Sequence, residues 1–471
     1  DARERLGGAN VWAGFSVDVE RGMVFAPTAS ASYDFYGGDR IGPNLFANCV
    51  IALDASTGKH IWHYQTIHHD IWDKDLPAAP NLVTVTHNGR RVDAVAQVIK
   101  TDYLFLLDRE TGEPLFPVEE VAVPPSQLDG EEAWSTQPVP SRPPPFARTQ
   151  MTANDITNIS PVANLLIRQM MEGLCSDGTF APFGSQPTIL MPGFEGGAEW
   201  GGAAYDPENS TLFVNSNEIA YSVTMVKLDV SPNMTPYKKG RNEFARRCSS
   251  CHGMDRKGGN HMGFTPSLLG LGERMTKKGL ETIIREGRGR MQPNPWLFYR
   301  GPECFEALAA FLLDTEADPD AVEIENPEQF LYNHSGKTEL LDQEGYPAIK
   351  PPWGTLNAID PNEGTIKWQV PFGEYAGLTA RGVPPTGTKN FGGPAITATG
   401  LLFIAATADE KIRAFDQQTG EILWQADLPA SGFATPSIYS IDGRQYVVIT
   451  CGGGKVERPS SDVYVAFALP E

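Results

Sequence analysis

One unit recurs along the 471-residue chain and limits what it can fold into. A β-prone run ends in Asp, a short turn closes on Gly, and a second run carries an aromatic residue. Residues 50–54 lead to Thr57-Gly58 and Trp62, and residues 104–108 to Thr111-Gly112 and Phe116. Residues 356–360 lead to Glu363-Gly364 and Trp368, and residues 412–416 to Thr419-Gly420 and Trp424. Each copy reads as strand, turn, strand, with Gly supplying the positive φ of the turn. Copies spaced by roughly 40–60 residues, one interruption set aside, predict the blades of a β-propeller. The recurring Trp is expected to pack between blades. Ahead of these units, residues 11–17 and 23–27 flank Glu20-Arg21-Gly22 and predict a hairpin. About five blades are expected. No N-terminal strand is evident to pair with residues 462–467, so the ring is expected to be incomplete here, with further blades ahead of residue 1 or in a second chain.

The interruption falls at about residues 235–325. There the two-residue alternation gives way to apolar spacings of three and four, predicting helices over 237–249, 276–286 and 303–313. The first runs into Cys248-Ser249-Ser250-Cys251-His252, the C-x-x-C-H pattern of covalent haem attachment. Two thiols at this spacing can form thioethers to one haem, and the adjacent imidazole can ligate its iron. A zinc site would need a second Cys/His cluster at ligand spacing, and none follows. For the second axial ligand, Met291 is favoured, in a loop after the middle helix, over Met254, His261, Met262 and Met275. The expected domains are a first propeller part (1–234), an inserted all-α cytochrome c domain (235–325) and a last propeller part (326–471). Residues 121–197 are Pro-rich and irregular and read as a rim loop or lid, with a short helix at 162–172.

A formal net charge of −20 argues against nucleic acid and anionic membrane surfaces as partners. No apolar run approaches the roughly 18 residues that span a bilayer. Haem attachment of this kind is completed outside the cytoplasm, so a periplasmic location is expected. Membrane association would come from a segment ahead of Asp1. Cys49, Cys175, Cys304 and Cys451 are scattered, and their pairing is open.

The repeats, together with His68-His69-Asp70-Ile71-Trp72-Asp73-Lys74-Asp75-Leu76-Pro77, resemble the quinoprotein dehydrogenases, above all the membrane-type glucose dehydrogenases. Gly37-Gly38-Asp39-Arg40, residues 403–409 and residues 445–449 share the resemblance. It implies an eight-bladed propeller, N-terminally incomplete in this sequence, that holds pyrroloquinoline quinone (PQQ) and Ca²⁺ on its axis. The insert resembles a class I cytochrome c. By position in the motif, Asp73 is the expected calcium ligand and general base, as a hard oxygen donor and proton acceptor can be. Lys100 is the expected cation beside the quinone oxygens. Trp12 is the expected stacking platform, Asn215 a hydrogen-bonding partner of the quinone, and Gly392-Gly393 a point of close backbone approach. Cys248 and Cys251 would hold haem c, with His252 and Met291 on the iron. Residues 28–32 lack the Asn that methanol-type members offer to calcium, and residues 451–454 lack the His of glucose-type members.

The function expected is a quinohaemoprotein dehydrogenase. It would oxidise an alcohol, polyol or sugar with PQQ and pass electrons through haem c to an external cytochrome or the respiratory chain. The alternative is a propeller scaffold or electron-transfer cytochrome with no dehydrogenase activity of its own.

Overall fold

The computed structural model describes residues 7–258, 265–288, 291, 293–299, 301–313, 324–325, 330–335, 338–456 and 458–469. Six antiparallel sheets of three or four strands lie among them; one joins Thr188–Leu190, Tyr221–Val223 and Thr338–Glu339, and the other five follow one another along the chain. The first joins Ser16–Asp18, Met23–Pro27, Cys49–Asp54 and His60–Gln65. The second joins Asn81–His87, Arg90–Val98 and Leu104–Asp108. The third is Ala203–Asp206, Thr211–Asn217, Gly354–Asp360 and Thr365–Pro371. The fourth is Ala395–Ile396, Leu401–Ile404, Lys411–Asp416 and Ile422–Asp427, and the fifth Ser437–Ile441, Arg444–Gly453 and Ser460–Ala468. Among the described residues no ladder joins the first sheet to the fifth.

The repeated unit explains how neighbouring sheets dock. Each Asp caps its own turn: Asp54 accepts from the Ser56 and Thr57 backbone, Asp108 from Glu110 and Thr111, Asp360 from Asn362 and Glu363, and Asp416 from Gln418 and Thr419. The aromatic residue of one unit then lies on the Gly of the next. Trp62 covers Gly112 and donates from Nε1 to Arg109 O at 3.1 Å. Trp368 covers Gly420 and donates to Gln417 O at 3.0 Å. Phe116 lies against Gly364. The glycine is therefore required twice, for its positive φ (76° at Gly112) and because a Cβ would strike the ring.

Two expectations are corrected. The opening strand of the first hairpin is only Ser16–Asp18; residues 11–15 are outside any strand, with Gly14 at φ 83° and Trp12 turned toward Asp75. The Phe116 unit has no second strand. Leu107 bridges Pro114, and prolines at 114 and 117 withdraw the donors a ladder needs. The chain instead pairs Val118–Ala122 with Thr136–Pro140.

The rim segment contains the helix Pro161–Met171, capped by Ser160, and contributes Met151, Phe180, Phe183, Met191 and Phe194 to a core shared with Trp72 and Trp353. The third sheet is the one interrupted. The chain leaves after Asn217, returns at Gly354, and these residues face each other in the ladder. Short ladders pair Met225–Lys227 with Tyr332–His334 and Asn233–Met234 with Ile324–Glu325. Beyond them lie helices Pro236–Arg247, Ser249–His252, Leu271–Arg274, Lys277–Glu286, Trp296–Tyr299 and Pro302–Leu312. Their core is Phe244, Leu280, Ile284, Leu308 and Phe311. Thr235 and Thr276 cap two of the helices, and Gly240 lets the first press on the Ala307 backbone.

Candidate functional site

The stretch 69–77 is irregular, bent around Ile71-Trp72 and left-handed at His69 and Asp73, and its polar side chains divide between two environments. Asp70, Trp72 and Lys74 point into the fold. Asp70 accepts from Trp72 N (2.9 Å), Lys74 N (2.7 Å), Asn48 Nδ2 (3.0 Å) and the Ser30 hydroxyl. Trp72 donates to Ala181 O at 2.8 Å, and the fully buried Lys74 ammonium to Pro192 O at 2.8 Å. His69 lies between Glu131 (3.1 Å) and Gly42 O (2.8 Å). Gly37 admits the His69 ring, where a Cβ would collide with it, and Arg40 holds Asp70 O at 2.8 Å. Asp73 and Asp75 face the other way. Asp73 does so from a left-handed backbone (φ 59°), a conformation costly for a non-glycine residue and maintained here by these anchors.

Lys100 meets both acids. Its Nζ is 2.9 Å from Asp73 Oδ1 and 2.8 Å from Asp75 Oδ1. Trp12 Nε1 donates to the other Asp75 oxygen at 2.9 Å, leaving an indole 44% exposed beside the pair. Burial raises the Asp73 carboxyl to about 7 although Lys100 opposes the rise; Asp75 and Asp34 add to it. Burial would lower the Lys100 ammonium, but Asp73 and Asp75 outweigh it and raise it above its ordinary value. Asp34 lies within electrostatic reach of Lys100, Asp70 and Asp75, and burial raises it too. The sequence reading named Trp12, Asp73 and Lys100 and missed Asp34 and Asp75. The available signal for Asp75 was its place in the same motif, two residues after Asp73.

Asn215, Gly392 and Gly393 form a second group. Asn215 is buried and donates from Nδ2 to Asn390 Oδ1 (2.6 Å) and Gly392 O (3.1 Å), while its own Oδ1 has no partner. A Cβ on Gly201 would strike the glycine-pair backbone, one on Gly393 the Gly201 backbone, and one on Gly392 the Ala434 backbone. The segment 193–202 connects the groups. Gly196 presses on the Lys100 stem, Gly197 N donates to Lys100 O at 2.9 Å, and Trp200 stacks on Phe391 with centroids 5.3 Å apart.

These residues suit the implied cofactors. A half-exposed indole beside a fixed ammonium fits a planar, oxygen-rich ring. Three carboxyls around one ammonium leave surplus negative charge for a hard cation. Among the described residues no three such groups converge into a cage.

In the helical insert, Cys248 ends the first helix and Cys251 and His252 lie in the turn that follows. Burial pushes the Cys248 thiol up to about 12. The His252 ring sets Nδ1 3.2 Å from Pro266 O, and burial lowers its pKa, favouring neutral imidazole. A proton on Nδ1 leaves Nε2 for a metal. Met291 and Cys248 pack against the same core, as does Met275, while Met254 is 36% exposed. His261 and Met262 lie outside the described residues.

Two family models match the chain. The family model of the PQQ glucose/ethanol/alcohol dehydrogenase β-propeller domain matches residues 1–266 and 313–447. The model of subunit III of cbb3-type cytochrome c oxidase matches residues 235–312. The chain is 30% identical to a probable quinate dehydrogenase (quinone) of Xanthomonas campestris pv. juglandis, over 98% of this chain and 50% of that one. It is 30% identical to the quinoprotein glucose dehydrogenase of Escherichia coli (98% and 49%) and to the glycerol dehydrogenase large subunit of Gluconobacter oxydans (99% and 55%). It spans about half the length of these curated relatives. The quinohemoprotein alcohol dehydrogenase of Comamonas testosteroni superposes with a TM-score of 0.54 at 19% identity, over 98% of this chain and 48% of that one. Propeller sheets, the motif around Asp73 and the family match together place the chain in the PQQ-dependent β-propeller dehydrogenases, with a cytochrome c region set into its third sheet.

Proposed function

We propose that this chain is the catalytic and electron-transferring part of a quinohaemoprotein dehydrogenase acting on a polyol, sugar or alcohol hydroxyl. The observation that carries the reading is the Asp73–Lys100 pair, at 2.9 Å, with Asp73 and Asp75 both turned to Lys100 from a motif whose Asp70, Trp72 and Lys74 face inward. When bound, PQQ supplies the hydride acceptor, Ca²⁺ the Lewis acid and haem c the one-electron carrier. The rest falls to the chain's residues. Asp73, raised to about 7, is ionised over the alkaline side of neutrality and takes the hydroxyl proton there. Lys100 stays protonated and presents a fixed positive charge beside Trp12 and Asp75, where negative charge on a quinone oxygen is stabilised. Cys248 and Cys251 would carry the haem, with His252 and Met291 as axial ligands. Relatives named for quinate, glucose and glycerol favour a substrate with several hydroxyls. The proposed location is the periplasm, and the −20 charge favours a basic external acceptor.

The test is a spectrum. The full-length protein with oxidised haem receives PQQ and Ca²⁺, then glucose, quinate, glycerol and simple alcohols in turn. Haem reduction that needs PQQ, Ca²⁺ and one substrate class, and that is lost in Asp73→Ala, supports the reading. Substrate-independent behaviour, from a haem that dithionite reduces, refutes it.

A further inference from the structure

The motif that carries Asp73 starts at His69, and this ring meets an acceptor on each side. His69 is 2% exposed, its backbone is left-handed (φ 44°), and its N–H donates to Pro43 O at 3.0 Å. Nδ1 is 2.8 Å from Gly42 O, and Nε2 is 3.1 Å from Glu131 Oε1. Glu131 is itself buried and comes from the rim segment, 62 residues along the chain. Its second oxygen accepts from Gly37 N. Arg40 also borders Gly37, but its guanidinium turns to Asn44, Tyr33 O and Asp70 O and leaves Glu131 to His69.

Counting hydrogens fixes the character of this contact. A peptide carbonyl has no proton to give, so Nδ1 donates to Gly42 O. A carboxylate that accepts from Gly37 N accepts again from Nε2. A ring that donates at both nitrogens is an imidazolium. Such a charge is tolerated in the interior where a hydrogen-bonded partner of opposite sign meets it, as Glu131 does. Gly37 is required by the same contact: a Cβ there would lie 2.2 Å from Nε2. The rim segment also grips the preceding residue, since Gln137 accepts from His68 N at 2.8 Å and donates to His68 O at 2.7 Å. From His69 the anchoring continues toward the site. Arg40 holds Asp70 O, and Asp70 holds Trp72 N and Lys74 N, with Asp73 between them.

We propose that Glu131 is a positioning residue for the dehydrogenase: it holds His69 as an imidazolium, and this buried pair sets the entry of the motif from which Asp73 meets Lys100. The catalytic half of the inference rests on the dehydrogenase reading. Glu131 takes no part in proton or hydride transfer and acts through His69. A neutral ring facing a protonated Glu131 is the competing arrangement, and it places a proton on one ring nitrogen instead of two.

The first measurement needs no turnover. Histidine side-chain nitrogen spectra are recorded at neutral pH on the full-length protein with its haem reduced and without PQQ, and His69 is assigned by its loss in His69→Gln. Two protonated ring nitrogens are expected in the parent and one in Glu131→Gln. One protonated nitrogen in the parent overturns the proposal, whatever reaction the protein performs. PQQ and Ca²⁺ are then added and turnover of the parent is established; its absence with every substrate overturns the dehydrogenase reading and the positioning role with it. In Glu131→Gln, and in Gly37→Ala, which alters no titratable group, kcat per bound PQQ is expected to fall at least about tenfold at unchanged KM, as misplacing a catalytic group does. A role in folding alone would lower the melting temperature and the yield of PQQ-loaded protein but keep kcat per bound PQQ. That outcome overturns the positioning role and leaves the dehydrogenase reading intact. If neither variant folds, the parent's nitrogen spectrum still decides the ion pair.

Discussion

Replacing Lys100 by Met tests the electrostatics of the site directly. The ammonium is 2.9 Å from Asp73 and 2.8 Å from Asp75, and its side chain is 9% exposed, so the pairs are poorly screened. Removing one partner of a buried pair costs about 3–5 kcal/mol, and one pH unit of pKa corresponds to about 1.4 kcal/mol. The loss is shared by two acids, so the lower end applies to Asp73, a rise of about two pH units. The sign follows from the charge: Lys100 favours carboxylate, so without it Asp73 holds its proton to higher pH. Starting from about 7, the ionised fraction at pH 7 falls from near one half to about one in a hundred. The assay is kcat/KM against pH at fixed Ca²⁺ and saturating PQQ, which reports the free enzyme's base. A parallel infrared titration of Asp73 in cofactor-free protein separates the pKa effect from any loss of quinone binding. Lys100→Arg should keep the parent's acid limb while altering kcat, since charge survives and geometry does not. An acid limb in Lys100→Met that moves by less than about half a unit would refute the reasoning, because it would mean that solvent already screens the pair.

Three further outcomes are expected. Asp102 is fully buried with one oxygen unpartnered, and burial raises its carboxyl well above the usual range. It folds protonated and unfolds ionised at neutral pH, so Asp102→Asn should raise the melting temperature at pH 8, with the gain vanishing near pH 4; equal gains at both pH values would count against this. Gly112→Ala should cost at least about 2 kcal/mol in denaturant unfolding, since φ is 76° and the new Cβ meets the Trp62 ring; a change within about 0.5 kcal/mol would show that the turn does not carry the inter-sheet contact. Met291→Leu should retain covalent haem on a denaturing gel but lower its reduction potential and change its spectrum, whereas Met254→Leu should do neither; the reverse pattern would assign the axial ligand to Met254.

Much of the architecture was readable from the repeats because its determinants are local. The Asp that caps a turn, the Gly that closes it and the aromatic residue beyond lie within one short segment, so the four copies announced themselves. The failures came where a nonlocal or single-residue effect decided. Pro114 and Pro117 removed a strand that the repeat pattern alone would draw through Phe116. Trp12 bonds to Asp75, 63 residues away, and residues 11–15 are drawn out of the hairpin that their alternation suggests. The helices of the insert and its C-x-x-C-H motif were legible, since apolar periodicity and capping threonines are again local signals. Glu131 carried no such signal. What sets it apart is burial against His69, 62 residues away, and the room for that ring is made by Gly37 in a third part of the chain.

The place of the insertion follows from the same geometry. The strand Thr211–Asn217 delivers Asn215 to Asn390, Ser216 to Asp102 and Asn217 to Glu199, so its C-terminal end is the part of the third sheet nearest the site. An excursion that begins after Asn217 and ends at Gly354, its ladder partner, cuts no hydrogen-bonded pair of the sheet. Glu218 N reaches Trp353 O across the gap at 3.0 Å, and Arg148 ties Glu218 to Pro352 O, so the two ends are clamped where they leave. The helical region is thereby attached at the functional end of a sheet, not at its outer edge. Tyr33 records the result: its hydroxyl, raised by burial, is influenced by Asp73 on one side and by Arg246, two residues before Cys248, on the other. A haem on Cys248 and Cys251 would share one chain with the Asp73 site, and the proposed first electron transfer would then have the advantage of an intramolecular step.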